Sequence, residues 1–224
     1  MPDELRPTAD QILAGQAVYT PWRLRAYNAV VLGFSNRWVW RCPTAKLLAL
    51  YDRHVKGNHF EVGVGTGYFL DRCRWPCDRP RLVLADLNEH CLKATQRRVA
   101  RYAPQVLSHD VFQPLPGGLQ PITSIGLNYV LHCLPGRMAD KRRVIDHLRA
   151  VLAPQGVLFG STILGSGGLH SWPAQRLMAF YNRRRIFSNT ADSLPELEAA
   201  LSAGLDVVQL DVIGSVARFA ARAR

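Results

Sequence analysis

The segment Glu61-Val62-Gly63-Val64-Gly65-Thr66-Gly67 constrains this chain more than any other. It starts within a short apolar run, His59 to Val64, and ends where a helical pattern opens at Tyr68. Glycines at a strand-to-helix junction serve two needs: a turn through positive φ, and backbone that a ligand can approach without meeting a β-carbon. The spacing is not G-x-G-x-x-G, the fingerprint that brings a pyrophosphate to a helix N-terminus. Here the glycines alternate, and a carboxylate, Glu61, stands two residues before the first. A carboxylate at that place repels a pyrophosphate and attracts a cation.

Around this segment the pattern alternates. Strands are expected at 59–64, 81–86, 105–109, 121–128, 156–164, 205–211 and 214–221. Helices are expected at 68–74, 89–102, 141–152, 173–183 and 194–203. Upstream, residues 9–19 and 22–33 carry helical spacing on either side of Pro21, and Pro43 introduces another helix through Tyr51. Strands separated by helices imply βαβ units and a mainly parallel sheet covered on both faces. The expectation is an α/β, doubly wound, seven-stranded sheet. Residues 1–224 read as one domain, with 1–56 a helical extension and 57–224 the core. Ligands of such sheets sit beyond the carboxyl ends of the strands, where the strand order reverses.

Composition sets the remaining bounds. With 48% hydrophobic and 20% charged residues, the chain is of the globular type. No apolar run is long enough for a bilayer. The opening Met1-Pro2-Asp3-Glu4-Leu5-Arg6 lacks an apolar signal core, so a cytoplasmic protein is expected. The five cysteines form no C-x-x-C pair; Cys73 and Cys77 lie one helical turn apart with no second cluster, so reduced thiols and no metal are expected. The net charge of +11 keeps nucleic acid open as a partner. Only four of the 28 basic residues are Lys, however, and the Arg are spread along the chain. The densest runs are Arg97-Arg98 to Arg101, Lys141-Arg142-Arg143 and Arg183-Arg184-Arg185; the first two fall on the polar faces of expected helices.

Asp86 adds an independent signal. It ends the second expected strand about 20 residues past the glycines, where a carboxylate can accept hydrogen bonds from ribose hydroxyls. A competing reading makes Asp86-Leu87-Asn88-Glu89 a helix start, with Asn88 as its cap.

Together these residues resemble motif I and its sequel in the class I S-adenosylmethionine-dependent methyltransferases, E/D-x-G-x-G-x-G followed by an acidic strand end. The donor has no phosphate and carries an ammonium and a sulfonium, which suits flanking carboxylates. The likeness runs on through His109-Asp110-Val111, Asn128-Tyr129-Val130-Leu131-His132-Cys133-Leu134-Pro135, and Leu152-Ala153-Pro154-Gln155-Gly156, where Gln155 replaces a glycine of the family's turn. It implies a Rossmann-like fold with S-adenosylmethionine as cofactor. By the same resemblance, Glu61, Gly63, Gly65, Gly67, Asp86, Leu87, Asp110, Val111 and Asn128 hold the donor. Asp110 would lie near the adenine amino group, with Val111 beside the ring. Leu131 to Gly136 and Phe159 to Gly165 resemble a bacterial and fungal subgroup that modifies small natural products. No D/N-P-P-Y/F motif follows the fourth strand, which disfavours nucleobase-amine acceptors.

Methyl transfer mainly needs alignment of nucleophile, methyl and sulfur. A base would help a phenol, hydroxyl or protonated amine. His132, four residues past Asn128, is the expected base, and His170 is a second candidate. Residues 15–40 are expected to form a lid, with Tyr19 or Tyr27 touching the cofactor. The reading is methyl transfer to a small molecule by a monomer or homodimer, with no membrane partner. The alternatives are an RNA or protein methyltransferase, or a cofactor-binding member that has lost methyl transfer.

Overall fold

The computed structural model describes residues 28–119 and 121–224. A π-helical segment, Asn28–Val39, precedes six α-helices and seven strands. The helices are α1 (Thr44–His54), α2 (Tyr68–Arg72), α3 (Glu89–Arg98), α4 (Met138–Arg149), α5 (Trp172–Arg183) and α6 (Leu194–Ser202). The strands are β1 (Asn58–Val62), β2 (Arg81–Asp86), β3 (Gln105–Ser108), β4 (Ile122–Asn128), β5 (Leu152–Ile163), β6 (Leu205–Ile213) and β7 (Val216–Ala223). All are joined in one sheet of order β3-β2-β1-β4-β5-β7-β6. The first five run parallel, and β7 is antiparallel to both β5 and β6. The order reverses between β1 and β4, so the crevice expected of a doubly wound sheet opens at the carboxyl ends of these two strands.

Alternation along the strands sorts the side chains onto two faces. In β1, Phe60 and Val62 join one core with Ile125, Leu158, Val144 and Leu201, under α4 and α6. The opposite face packs Phe159 and Leu84 with Tyr51, Leu47, Phe69 and Met178, under α1, α2 and α5. His59 and Glu61 therefore point to the side occupied by Tyr51. Opposite them on β4 stand Ser124 and Gly126. A β-carbon on Gly126 would overlap the Glu61 carboxylate, so this small residue makes room for a buried acid.

Local chemistry fixes several helix starts. Asn88 caps α3, its side chain accepting from the N–H groups of His90 and Cys91, and Ser193 forms a capping box with Glu196 at α6. Gln155 sits at φ 60, in the glycine-like conformation that the family's turn uses. Several elements depart from expectation. The helix expected at 22–33 is, where described, a π-helical segment that runs on to Val39, and the helix expected at 141–152 spans Met138–Arg149, with Leu152 opening β5. The helix from Glu89 ends at Arg98 and tightens into a 3₁₀ turn at Ala100–Tyr102. Lys141, read as part of a solvated charge run, is fully buried: Met138, Lys141, Val144, Ile145 and Leu148 form one stripe of α4, and that stripe faces the core. No described helix is long and apolar enough to cross a membrane.

Candidate active site

A cavity of about 710 Å³ opens at the carboxyl ends of the parallel strands. Glu61, Gly63, Gly65, Gly67, Asp86, Leu87, Asp110, Val111, Asn128 and His132 all line it. Tyr19 and Tyr27 lie outside the described residues. His170 does not line the cavity; its Nδ1 lies 3.0 Å from Ser215 Oγ.

The glycine loop follows β1 directly, and its glycines have different causes. Gly63, at φ 69, packs so tightly on Val130 that a β-carbon would overlap the Val130 Cγ2 methyl. Gly65, at φ 52, has nothing within 4 Å of its missing β-carbon. Its emptiness is turned to the cavity, as expected of backbone kept bare for a ligand. Helix α3 clamps the loop from behind: Thr95 Oγ1 donates to the carbonyls of Val64 and Gly65, and Arg98 to that of Thr66 over 2.7 Å.

Asp86 closes the loop from the end of β2. Its Oδ1 accepts the N–H of Asn88 at 2.8 Å, and the backbone N–H groups of Val64, Gly65 and Leu87 lie near enough to favour its ionised form. Burial nevertheless outweighs these donors and pushes the carboxyl up to about 6. Asp110 Oδ1 takes the N–H of Phe112 over 3.0 Å, which folds the loop after β3 against the cavity. Asn128, at the end of β4, accepts the Ser161 hydroxyl at 2.5 Å.

Glu61 sits at the head of a buried chain of polar groups. Tyr51 Oη donates to its Oε1, His59 Nε2 lies 2.8 Å from its Oε2, and His59 Nδ1 lies 2.8 Å from Ser124 Oγ. Tyr51, His59 and Ser124 are fully buried, and Glu61 is 4% exposed. Neither His59 nor Tyr51 is among the site residues expected from the sequence. The i, i+2 spacing of His59 and Glu61 was the available clue, since it sets both on one face.

His132 occupies the tight turn Leu131–Cys133, against the ring of Phe187 at 4.5 Å. Its Nδ1 accepts the N–H of Ile163 at 3.3 Å, so the neutral ring carries its proton on Nε2. Burial holds its pKa at about 3, far below an imidazole's ordinary value. It is therefore a neutral hydrogen-bonding group across the physiological range.

The cavity has two ends. The loop carboxylates frame one; the other is lined by Tyr129, Leu134, Leu177, Tyr181 and Phe187, with Leu32 and Trp40 from the N-terminal side. Tyr129, at φ 59, turns outward after β4, and its hydroxyl donates to Asn36 Oδ1 over 3.0 Å. That bond ties the π-helical segment to the site.

A family model described as a methyltransferase domain matches residues 60–158. The chain is 36% identical to demethylluteothin O-methyltransferase of Streptomyces thioluteus over 206 residues, covering 92% of this chain and 90% of the relative. It is 37% identical to the physcion biosynthesis cluster O-methyltransferase of Aspergillus chevalieri over 209 residues, 92% of this chain and 94% of the other. Among solved structures, the DhpI complex with S-adenosylhomocysteine matches with a TM-score of 0.66 at 15% identity, over 96% of this chain and 98% of that one, a likeness of fold.

Proposed function

Because the chain belongs to the class I S-adenosylmethionine-dependent methyltransferases, we propose that it methylates a hydroxyl of a small organic acceptor in specialised metabolism. The observation that carries this reading is a bare loop, Gly65 at its middle, opening into a cavity between two carboxylates. The acceptor class is supported by the two relatives, both O-methyltransferases by name.

The residues present suit the donor. Asp86 offers a carboxylate to the ribose, Asp110 and Val111 the adenine side, Leu87 an apolar wall, and Glu61 with the loop and Asn128 the aminoacyl end. When bound, S-adenosylmethionine supplies an electrophilic methyl group on a cationic sulfur. The chain's own part is to exclude water and aim the acceptor. His132 serves there as a fixed neutral donor rather than the proton acceptor its type suggests. Residues 1–56 act as an extension of the 57–224 core, and residues 15–40, with Tyr19 or Tyr27, as a cover; the Tyr129–Asn36 bond supports this. Among the described residues Arg185 is the sole Lys or Arg lining the cavity, which disfavours a polyanion such as RNA as acceptor.

Incubation with methyl-labelled donor and an extract of small metabolites tests the proposal. Label in a small organic product supports it. Label only in RNA or protein, or in nothing while the donor binds, refutes it.

A further inference from the structure

Arg183, Arg184 and Arg185 form one basic run in the sequence, and the fold sends them to different places. Arg183 ends α5, and Arg184 lies over the Phe180 ring at 5.1 Å. Arg185 alone lines the cavity. Its backbone, at φ 57, is left-handed, a conformation non-glycine residues seldom take. The turn is set by bonds from Arg185 N–H to Asn182 O at 3.0 Å and from Ile186 N–H to Tyr181 O at 2.9 Å. The chain beyond it is fastened as well: Ser188 N–H donates to His132 O at 2.8 Å, and the buried Lys141 donates to both Ser188 O and Asp192 Oδ2 at 2.6 Å. A fixed loop thus carries Arg185, an exposed residue of the cavity lining whose guanidinium has no hydrogen bond or ion pair with any described residue.

Arg185 faces an end of the cavity that lacks a base. His132 titrates at about 3 and burial raises the Tyr181 phenol, while Cys133, whose residue is exposed, carries a thiol that is protonated at neutral pH even at its ordinary value. The three carboxylates of the cavity, Glu61, Asp86 and Asp110, belong to the glycine-loop end. An acceptor hydroxyl must therefore lose its proton without help from a basic side chain here.

We infer that the acceptor is an acidic hydroxyl compound, an enol or electron-poor phenol, bound as its oxyanion by the guanidinium of Arg185. The inference rests on the methyltransferase reading. A guanidinium bonds an oxyanion through a fork of charged donors, and a neighbouring cation favours the ionised form of the hydroxyl. The proton passes to water; the oxyanion then forms the C–O bond as the methyl–sulfur bond breaks, leaving a neutral ether and a neutral thioether. Charge vanishes as that bond forms, so Arg185 holds the ground state at least as firmly as the transition state. Its loss raises KM more than it lowers kcat.

The test is calorimetric titration of 4-hydroxycoumarin, an acidic enol, and 4-ethylphenol, a neutral phenol, into protein saturated with S-adenosylhomocysteine. Parent, Arg185→Gln and Arg185→Lys proteins are compared at neutral pH. The parent should bind the enol at least tenfold more tightly than the phenol. Arg185→Gln should lose at least tenfold for the enol and stay within twofold for the phenol, with Arg185→Lys restoring part of the loss. S-adenosylhomocysteine affinity should agree within twofold in all three. No enol binding by the parent, or equal enol binding by Arg185→Gln, overturns the inference. Unchanged S-adenosylhomocysteine binding then confines the failure to Arg185, whereas a parent that binds no S-adenosylhomocysteine sinks the methyltransferase reading itself.

Discussion

The Tyr51 hydroxyl donates to the Glu61 carboxylate at 2.5 Å, both residues being buried at the inner wall of the cavity. The acid beside the glycine loop is thus held from behind by a helix that precedes the sheet. Burial and the Glu61 charge push the Tyr51 phenol well above its ordinary value, so it remains a neutral donor.

Tyr51→Phe removes that donor and leaves Glu61 Oε1 buried without it. A hydrogen bond to a buried charge contributes about 1.5–3 kcal/mol. Urea unfolding should show a loss of that size, and S-adenosylhomocysteine should bind several-fold more weakly. An unchanged unfolding midpoint would show that the bond contributes nothing.

Asp86 predicts a pH dependence of cofactor binding. Its carboxyl titrates at about 6 in the free protein, and ribose hydroxyls donate to the ionised form. Binding therefore lowers this pKa and releases a proton at lower pH. Affinity should be full above about pH 6 and fall as pH drops through 6, by up to about tenfold per pH unit. Asp86→Asn should bind weakly with a flat profile. A parent profile that stays level from pH 7.5 to 5 would contradict the role given to Asp86.

Lys141 and Asp192 make a buried ion pair at 2.6 Å, and the other oxygen of Asp192 has no partner among the described residues. Lys141→Met leaves that carboxylate wholly unpaired. Breaking such a pair from one side costs about 3–5 kcal/mol. For a chain of this size the melting temperature should fall by about 10 °C. Adding Asp192→Asn should recover part of it, and a melting temperature within 2 °C of the parent's would refute the assignment.

The parts of the site legible in the sequence are those written in consecutive residues. The glycine loop, the acid ending β2 and the Asn88 cap need only a local pattern and a strand-helix junction. The His59–Glu61–Tyr51 chain needs the register of β1 on β4 and the seating of α1, which no local pattern specifies. The imidazole of His132 looked like a base because its type titrates near neutrality; its burial beneath Phe187 is set by a loop 55 residues on in the sequence. Lys141 was misjudged because a Lys-Arg-Arg run reads as solvated, although its spacing from Met138, Val144 and Leu148 put it on the apolar stripe. The antiparallel hairpin β6–β7 read as two final strands, with its direction left to the sheet.

The central claim is that bare backbone at Gly65 receives the donor. Calorimetric titration of S-adenosylhomocysteine into the parent and Gly65→Ala proteins tests it most directly. At φ 52 an alanine costs about 1 kcal/mol of conformational strain, with nothing within 4 Å to overlap, so the variant should fold. The account predicts clear binding by the parent and at least tenfold weaker binding by folded Gly65→Ala. Equal affinity in the two proteins would contradict it.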